Sequence, residues 1–289
     1  MIKLSIIIVS WNVRALLQKC LASIYRETKQ PVEVIVVDNA SIDGSADLVA
    51  KEYPQVKLIR NAKNLGFARA NNQGVKSARG EYVIFLNDDT EIKSSALDTM
   101  VNFLDRHPEA GIIGARLLNS DGSLQRGTAR QFPTAKILAT MLLGWHSFLL
   151  NKPWLRKYYL LDEKFERDTE VDQVMGASLM TRQALLKRLG SFCEEFWIWF
   201  EEVDLCQRYR AAGHRIFVVS TAAITHHQGK SFVQVFKLKK FAQLSRSLLI
   251  YSRKHLYFYQ FILLALLWPL GFLTALAVQL LGLKPKKLS

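Results

Sequence analysis

Apolar and polar positions come in blocks of two kinds along the first hundred residues. Short β-branched runs at residues 4–10, 32–37, 56–59 and 82–86 read as buried strands. Between them the spacing changes to three and four. Leu16, Leu17, Cys20, Leu21 and Ile24 fall on one face of a helix over residues 14–25, and further helices follow over 45–52 and 67–77. Strands alternating with helices predict βαβ units and a largely parallel sheet, an α/β fold. Three of the strands end in polar clusters: Ser10-Trp11-Asn12, Asp38-Asn39-Ala40-Ser41 and Asn87-Asp88-Asp89. Strand ends at one edge of a parallel sheet converge on a crevice, which is where open α/β sheets bind ligands. Asp88 and Asp89 follow the apolar run Tyr82-Val83-Ile84-Phe85-Leu86, and the next helix begins near Ser94 or Ser95. From these residues alone the two acids either hold a divalent cation, carry out proton chemistry or cap that helix.

No G-x-G-x-x-G opens a helix and no P-loop is present, so dinucleotide and P-loop chemistry are not expected. From about Gly111 the pattern is mixed. Residues 137–150 are apolar, with Trp145 and Phe148, and lead into the basic aromatic stretch Lys152-Pro153-Trp154-Leu155-Arg156-Lys157-Tyr158-Tyr159. This reads equally well as a helix packed on the core or as a surface segment entering a membrane interface. Residues 171–180 read as a strand with Gly176-Ala177 inside it. The aromatic cluster Phe196-Trp197-Ile198-Trp199-Phe200 feeds Glu201-Glu202-Val203-Asp204 into a helix that Gly213 ends. Cys20, Cys193 and Cys206 follow no metal-ligand spacing and read as packing residues in a reducing compartment.

The formal net charge of +14 changes the picture less than its placement does. Asp204 is the last acid, 13 Lys and Arg lie beyond it, and residues 1–204 hold 26 bases against 25 acids. The basicity therefore belongs to a tail, as for a membrane-facing segment or a nucleic-acid arm. Between Lys254 and Lys284 there is no charged residue, a run long enough to span a bilayer. Tyr257, Tyr259 and Trp268 supply interfacial aromatics, and Arg253, Lys254, Lys284, Lys286 and Lys287 flank the run. Membrane attachment through about residues 255–283 is expected, and nucleic acid is not expected as a partner. Pro269 and Gly271 leave open a hairpin in place of a span. The apolar stretch at residues 4–9 is too short for a signal peptide, and the bases before the tail run outnumber those after it. Both place the main domain on the cytoplasmic face.

Taken together, Ser5 to Ser10 with Trp11-Asn12, Val36-Val37-Asp38-Asn39-Ala40-Ser41-Ile42-Asp43-Gly44-Ser45, Asn64-Leu65-Gly66-Phe67-Ala68-Arg69-Ala70-Asn71-Asn72, Asn87-Asp88-Asp89, Gly176-Ala177, Glu201-Glu202-Val203-Asp204-Leu205 and His226-His227-Gln228-Gly229-Lys230-Ser231 resemble family 2 glycosyltransferases of the GT-A fold. The resemblance is closest to the rhamnosyltransferase-like branch and covers about residues 3–231. It implies a Rossmann-like, nucleotide-diphospho-sugar transferase domain over residues 1–231. Residues 1–110 would form its nucleotide-sugar half and 111–231 its acceptor half, followed by basic and hydrophobic membrane-associated helices over 232–289. It implies an inverting transfer of a sugar, rhamnose in the nearest branch, from a nucleotide-diphosphate donor to a lipid-linked saccharide in cell-envelope polysaccharide synthesis. Mg²⁺ or Mn²⁺ would be the cofactor.

Carried over by resemblance, Asp89 and His226 hold the metal and Asp88 lies near the ribose and metal. Ser10, Asn12, Asp38 and Asn39 hold base and ribose. Asn64, Gly66 and Asn71 hold the ribose and phosphates, with the glycine letting backbone approach the ligand. Gly176, Ala177, Trp197 and Trp199 fall on the acceptor side. The two tryptophans stand where the family has Phe and Tyr, and core packing is an equal reading of them. The family motif Glu-Asp, whose Asp is the base, is here Glu201-Glu202. Glu202 is the expected base, with Glu201 and Asp204 as further candidates. Two alternatives remain: a noncatalytic membrane-bound module that binds nucleotide sugar or nucleic acid, and a related nucleotidyltransferase or metal-dependent hydrolase, which would leave the Glu pair and His226 unexplained.

Overall fold

The computed structural model describes residues 2–146, 148–227 and 237–280, the side chains of 237 and 277–280 excepted. Gln228 to Ser231, the expected boundary at 231/232 and Lys284, Lys286 and Lys287 lie outside the described residues. The elements in order are β1 Leu4–Ser10, α1 Arg14–Glu27, β2 Val32–Asp38, α2 Ser45–Glu52, β3 Lys57–Arg60, α3 Phe67–Ser77, β4 Tyr82–Asn87, β5 Thr90–Ile92, α4 Ala96–Arg106 and β6 Ala110–Leu118. Then come β7 Ala129–Arg130, α5 Ala135–Leu142, α6 Pro153–Tyr158, β8 Thr169–Glu170, β9 Gln173–Val174, β10 Ser178–Arg182, α7 Gln183–Leu189, α8 Glu201–Ala211, β11 Arg215–His226, α9 Lys237–His255 and α10 Phe258–Leu280.

One sheet in the order β3-β2-β1-β4-β10-β6-β11-β5 runs through both expected halves, with β8 on β11. Its first four strands are parallel as expected, while β10 is antiparallel to both β4 and β6. The sheet is therefore mixed, with a parallel centre. Strand period sorts the core. Leu4, Ile6 and Ile8 of β1 face Leu17, Leu21 and Ile24 of α1, while Ile7 points to the other layer. On that side Gly74 of α3 leaves the room Ile7 fills, since a Cβ there would collide with its methyl.

The expected strand over 171–180 is broken into β9 and β10, with Gly176-Ala177 in the break. The apolar run at 137–150 is divided. Ile137, Leu138 and Leu142 of α5 are buried, whereas Trp145 and Phe148 beyond it are exposed. Thr134 caps α5, its hydroxyl accepting from the Ile137 N–H at 3.4 Å.

A third core cluster joins α5, α6 and the 196–203 segment to the tail through Leu248, Tyr251 and Leu264. α10 runs unbroken through Pro269 and Gly271, which removes the hairpin alternative. Gly271 is instead a packing site, because a Cβ there would strike the Leu142 carbonyl of α5.

Candidate active site

Strand register assembles the crevice. Ser10 pairs with Asp38 and Val9 with Asn87, so the three polar strand ends do converge. After Asn87 the chain turns tightly, the Thr90 hydroxyl donating to the Asn87 carbonyl at 2.8 Å, and β5 returns to pair with β11. The helix-cap reading of Asp88 and Asp89 is thereby corrected: a strand intervenes and α4 starts only at Ala96. The same pairing sets His226 opposite Thr90, and the His227 N–H donates to the Asp89 carbonyl at 2.8 Å. His226 is the last residue of the long strand β11.

His226 Nδ1 lies 2.7 Å from Gln125 Oε1. The Gln125 amide nitrogen is committed to Asn119 Oδ1 and to the His226 carbonyl, each at 3.1 Å, so its oxygen faces the ring. That network assigns the ring proton to Nδ1 and makes Nε2 an acceptor, with the Asn87 amide nitrogen 3.4 Å from it. Nε2 sits 3.1 Å from Asp89 Oδ1, a buried atom that accepts no hydrogen bond. Two acceptors at that distance, one of them buried and unsatisfied, fit the ligand set of a divalent cation, and the Gln125–His226 contact is the outer-shell bond that orients such a ligand. Among the described residues no cluster of three His, Cys, Asp or Glu is gathered for a metal. A cation here would draw its other oxygens from a phosphate substrate and water.

The cleft of about 390 Å³ beside this pair is lined by Trp11, Asn39, Asn64, Gly66, Asn87, Asp88, Asp89, Gly176, Ala177, Trp197, Trp199, Glu201, Glu202 and His226, together with Arg130 and Met175. The Asp88 carboxylate accepts from the Trp11 N–H at 3.3 Å. Burial first, and then the Asp89 charge, push its pKa well above the usual carboxylate range. On the opposite wall burial raises the pKa of Glu201 and of Glu202. For Glu201 the neighbouring Glu202 charge adds to this, whereas for Glu202 the Arg130 charge pulls the other way. One Oε of each has no hydrogen-bond partner. Four carboxylates against one guanidinium would repel a diphosphate arriving without a cation.

The other expected site residues are also engaged in contacts within the protein. Ser10 is buried and its hydroxyl favours the charged form of Asp88; it does not line the cleft. Asn12 accepts the Ile42 N–H at 2.8 Å and Asp38 Oδ2 accepts the Ser41 N–H at 3.1 Å, so both shape the loop after β2, while Asp38 Oδ1 is buried without a hydrogen-bond partner. Asn39 borders the cleft, but its amide is spent on Asn64, Gly66, Asn61 and Leu65. Asn71 donates back to the Phe67 carbonyl in its own helix at 3.0 Å. At Gly66 the φ is +84° and a Cβ would lie 2.5 Å from the Trp197 carbonyl. That glycine allows a loop-to-loop approach, completed by the Phe67 N–H donating to the same carbonyl at 2.7 Å, and it also borders the cleft. Asp204 is removed as a base, being fully buried and paired with Arg208 at 2.9 Å and His255 at 2.8 Å.

Arg130 was not singled out by sequence. It lies in the weakly patterned stretch beyond Gly111, and only the two-residue pairing of β7 with β9 carries it into the cleft. Trp199 and Phe200 adopt positive φ, 64° and 70°, immediately before the Glu pair. Such a turn of two bulky residues costs about 1–3 kcal/mol each, and it is held from outside: Phe200 packs 5.4 Å from Tyr251, and the Ser247 hydroxyl donates to the Ile198 carbonyl at 2.7 Å.

Comparison with known proteins agrees with this geometry. Residues 5–189 match the family model "Glycosyl transferase family 2". The chain is 27% identical over 243 residues to the N-acetylglucosaminyl-diphospho-decaprenol L-rhamnosyltransferase of Mycobacterium tuberculosis, covering 79% of this chain and 77% of that protein. Among solved structures it is similar to the mannosyltransferase PcManGT from Pyrobaculum calidifontis in complex with GDP-Man and Mn²⁺ (TM-score 0.59, 19% identity, 97% of this chain and 74% of that one). It is similar also to S. aureus TarS 1-349 in complex with UDP-GlcNAc (TM-score 0.59, 18% identity, 98% and 76%). The polar strand ends, the facing acids and the match over residues 5–189 lead to one statement: this chain belongs to glycosyl transferase family 2 and has its GT-A fold.

Proposed function

We propose that the protein is a metal-dependent inverting glycosyltransferase that moves a sugar from a nucleotide-diphosphate donor to a hydroxyl of a lipid-linked saccharide in cell-envelope polysaccharide synthesis, at the cytoplasmic face of the membrane. The observation that carries this reading is the unsatisfied Asp89 Oδ1 beside His226 Nε2, facing Glu201 and Glu202 across one cleft. The rhamnosyl transfer and lipid-diphosphate acceptor in the name of the Mycobacterium relative support rhamnose and a polyprenyl-linked acceptor. The Mn²⁺ complex of the mannosyltransferase supports Mg²⁺ or Mn²⁺ as cofactor. Attachment to the membrane is supported by one helix, Phe258–Leu276, long and apolar enough to cross a bilayer and scarcely buried.

In this reading Asp89 and His226 hold the cation, and Asp88, kept near it by the Trp11 N–H, faces the donor's ribose. A divalent cation there supplies neutralisation of the charge that grows on the departing nucleoside diphosphate. Glu202 takes the proton from the acceptor hydroxyl as that oxygen attacks the anomeric carbon, and burial has raised its pKa in the direction a base working near neutrality needs. Glu201, the more buried of the two, has its own pKa pushed up by burial and then by the Glu202 charge. Gly176 faces Glu202 closely enough that a Cβ would come within 3.6 Å of it, leaving the space for an acceptor chain. Trp197 and Trp199 offer flat apolar faces to the sugar rings.

A panel of nucleotide sugars with Mn²⁺, read by donor hydrolysis and thermal shift, tests the reading. Asp89→Ala is expected to cost several kcal/mol of barrier, on the order of 10³ in rate, at unchanged fold. Full activity in that variant would remove the metal assignment, and a wild-type protein that neither binds nor hydrolyses any donor would remove the function.

A further inference from the structure

α10 is apolar on the side that faces away from the protein. Tyr259, Ile262, Leu263, Leu266, Leu270 and Leu273 recur at helical spacing on that side, and Leu266 is 72% exposed. The strip runs for about 22 Å at 1.5 Å per residue. Its inner side is committed. Trp268 Nε1 donates to the Ser245 hydroxyl of α9 at 3.0 Å, and the Phe241 and Phe272 rings meet at 6.4 Å. The Thr274 hydroxyl is 3.2 Å from the Leu143 carbonyl just past α5, and Gly271 lies flat on Leu142. The pairings 241 with 272 and 245 with 268 make α9 and α10 antiparallel and side by side. α9 in turn is fixed to the catalytic body through Ser247–Ile198, Tyr251–Gln207 and His255–Asp204.

A helix held this way cannot cross a bilayer alone. α9 would have to enter the hydrocarbon with it, taking along Lys240, Arg246 and Arg253, and charged groups at the bilayer centre are costly. α9 carries no acid of its own; Arg253 and Lys254 at its end are paired with Glu195, and Lys239, Lys240 and Arg246 leave the layer behind the apolar strip basic. Between the two helices a furrow of about 410 Å³ sets Arg246 and Arg253 beside Leu249, Ile250, Phe261 and Trp268. That is the combination of cation and apolar wall which the phosphate and acyl chain of an anionic phospholipid meet. The loop after α5 adds exposed Trp145 and Phe148 near the far end of α10.

We propose that α10 is an in-plane docking helix for an anionic membrane surface: its outward strip lies at the boundary of headgroups and acyl chains, and the chain does not pass through the bilayer. The inference rests on the membrane attachment proposed above and decides its form. Full-length protein carrying one epitope tag before Met1 and another after Ser289, in membrane vesicles with the cytoplasmic face outward, tests it. Added protease is expected to remove both tags without detergent. A C-terminal tag protected until detergent is added would overturn the in-plane placement. Absence of the protein from the vesicle fraction would instead overturn the attachment itself. A paired change on the exposed strip, Leu266→Glu with Leu273→Glu, should leave the thermal midpoint unchanged and lower the vesicle-bound fraction at least tenfold, and undiminished binding would show that this strip is not the docking face.

Discussion

Glu202 and Arg130 face each other in the cleft, and each alters what the other can do. Burial raises the Glu202 pKa, and the guanidinium is the charge that restrains the rise. In its proposed role as base Glu202 must be ionised to act, so kcat/KM should fall as pH drops through the raised Glu202 value, with the acid limb above the ordinary carboxylate range. Arg130→Met removes the restraining charge, and the limb is then expected to move to higher pH. A pH profile of donor transfer checks this: a limb that stays in place would mean that Arg130 does not act on the base. Glu202→Gln is expected to lower kcat by about 10²–10⁴ at pH values above that limb, with the difference narrowing below it. Sequence made these two residues unequally visible. An acid pair after an aromatic run carries its own signal, whereas an arginine in a two-residue strand carries none until a non-local pairing places it. Asn39 and Asn71 have the residue type a ligand wants, and sequence alone does not show that Asn39 also braces the 61–66 loop or that Asn71 donates back into its own helix.

The elements up to Asn87 were legible because each buries one face at a clear period, and their boundaries agree with the pattern to within one or two residues. β11 was not. Its pairing with β6 shifts register between Val219 and Ala223, and Ser220-Thr221-Ala222-Ala223 interrupts the apolar alternation there. β5, only three residues long, owes its strand form to β11. Missing these two strands hid why His226 reaches Asp89. α9 is the other element whose part in the site is non-local. Through Ser247 and Tyr251 it secures the turn that presents Glu201 and Glu202, although it lies beyond residue 189 where the family match stops. Ser247→Ala leaves the half-buried Ile198 carbonyl without its donor. About 1–3 kcal/mol of stability should be lost, with a larger effect on kcat than on donor KM, because the turn bearing the base loosens while the metal pair stays. Equal changes in both constants would argue that α9 merely packs.

At the scale of the whole molecule, catalytic body and tail share a core, so the tail is more than an anchor. Leu248, Tyr251 and Leu264 are almost fully buried against α5, α6 and the 196–203 segment, and they belong to α9 and α10. Fully burying such a side chain contributes about 1.5–3 kcal/mol, so losing three removes a large share of the ~5–15 kcal/mol by which a domain is stable. The expected consequence separates two pictures of the chain. If residues 237–289 only hold the enzyme at a membrane, a chain ending at residue 236 should keep its thermal midpoint and still hydrolyse a soluble donor, a reaction that needs neither lipid nor acceptor. If the shared core governs, that truncation should lower the midpoint, open residues 192–203 to limited proteolysis and abolish donor hydrolysis in solution, where no membrane is present to be missed. The packing of Phe200 on Tyr251 and the Ser247 bond to Ile198 favour the second outcome, because both end on the turn that carries Glu202. Hydrolysis by the truncated chain at the full-length rate would return the tail to the status of a tether.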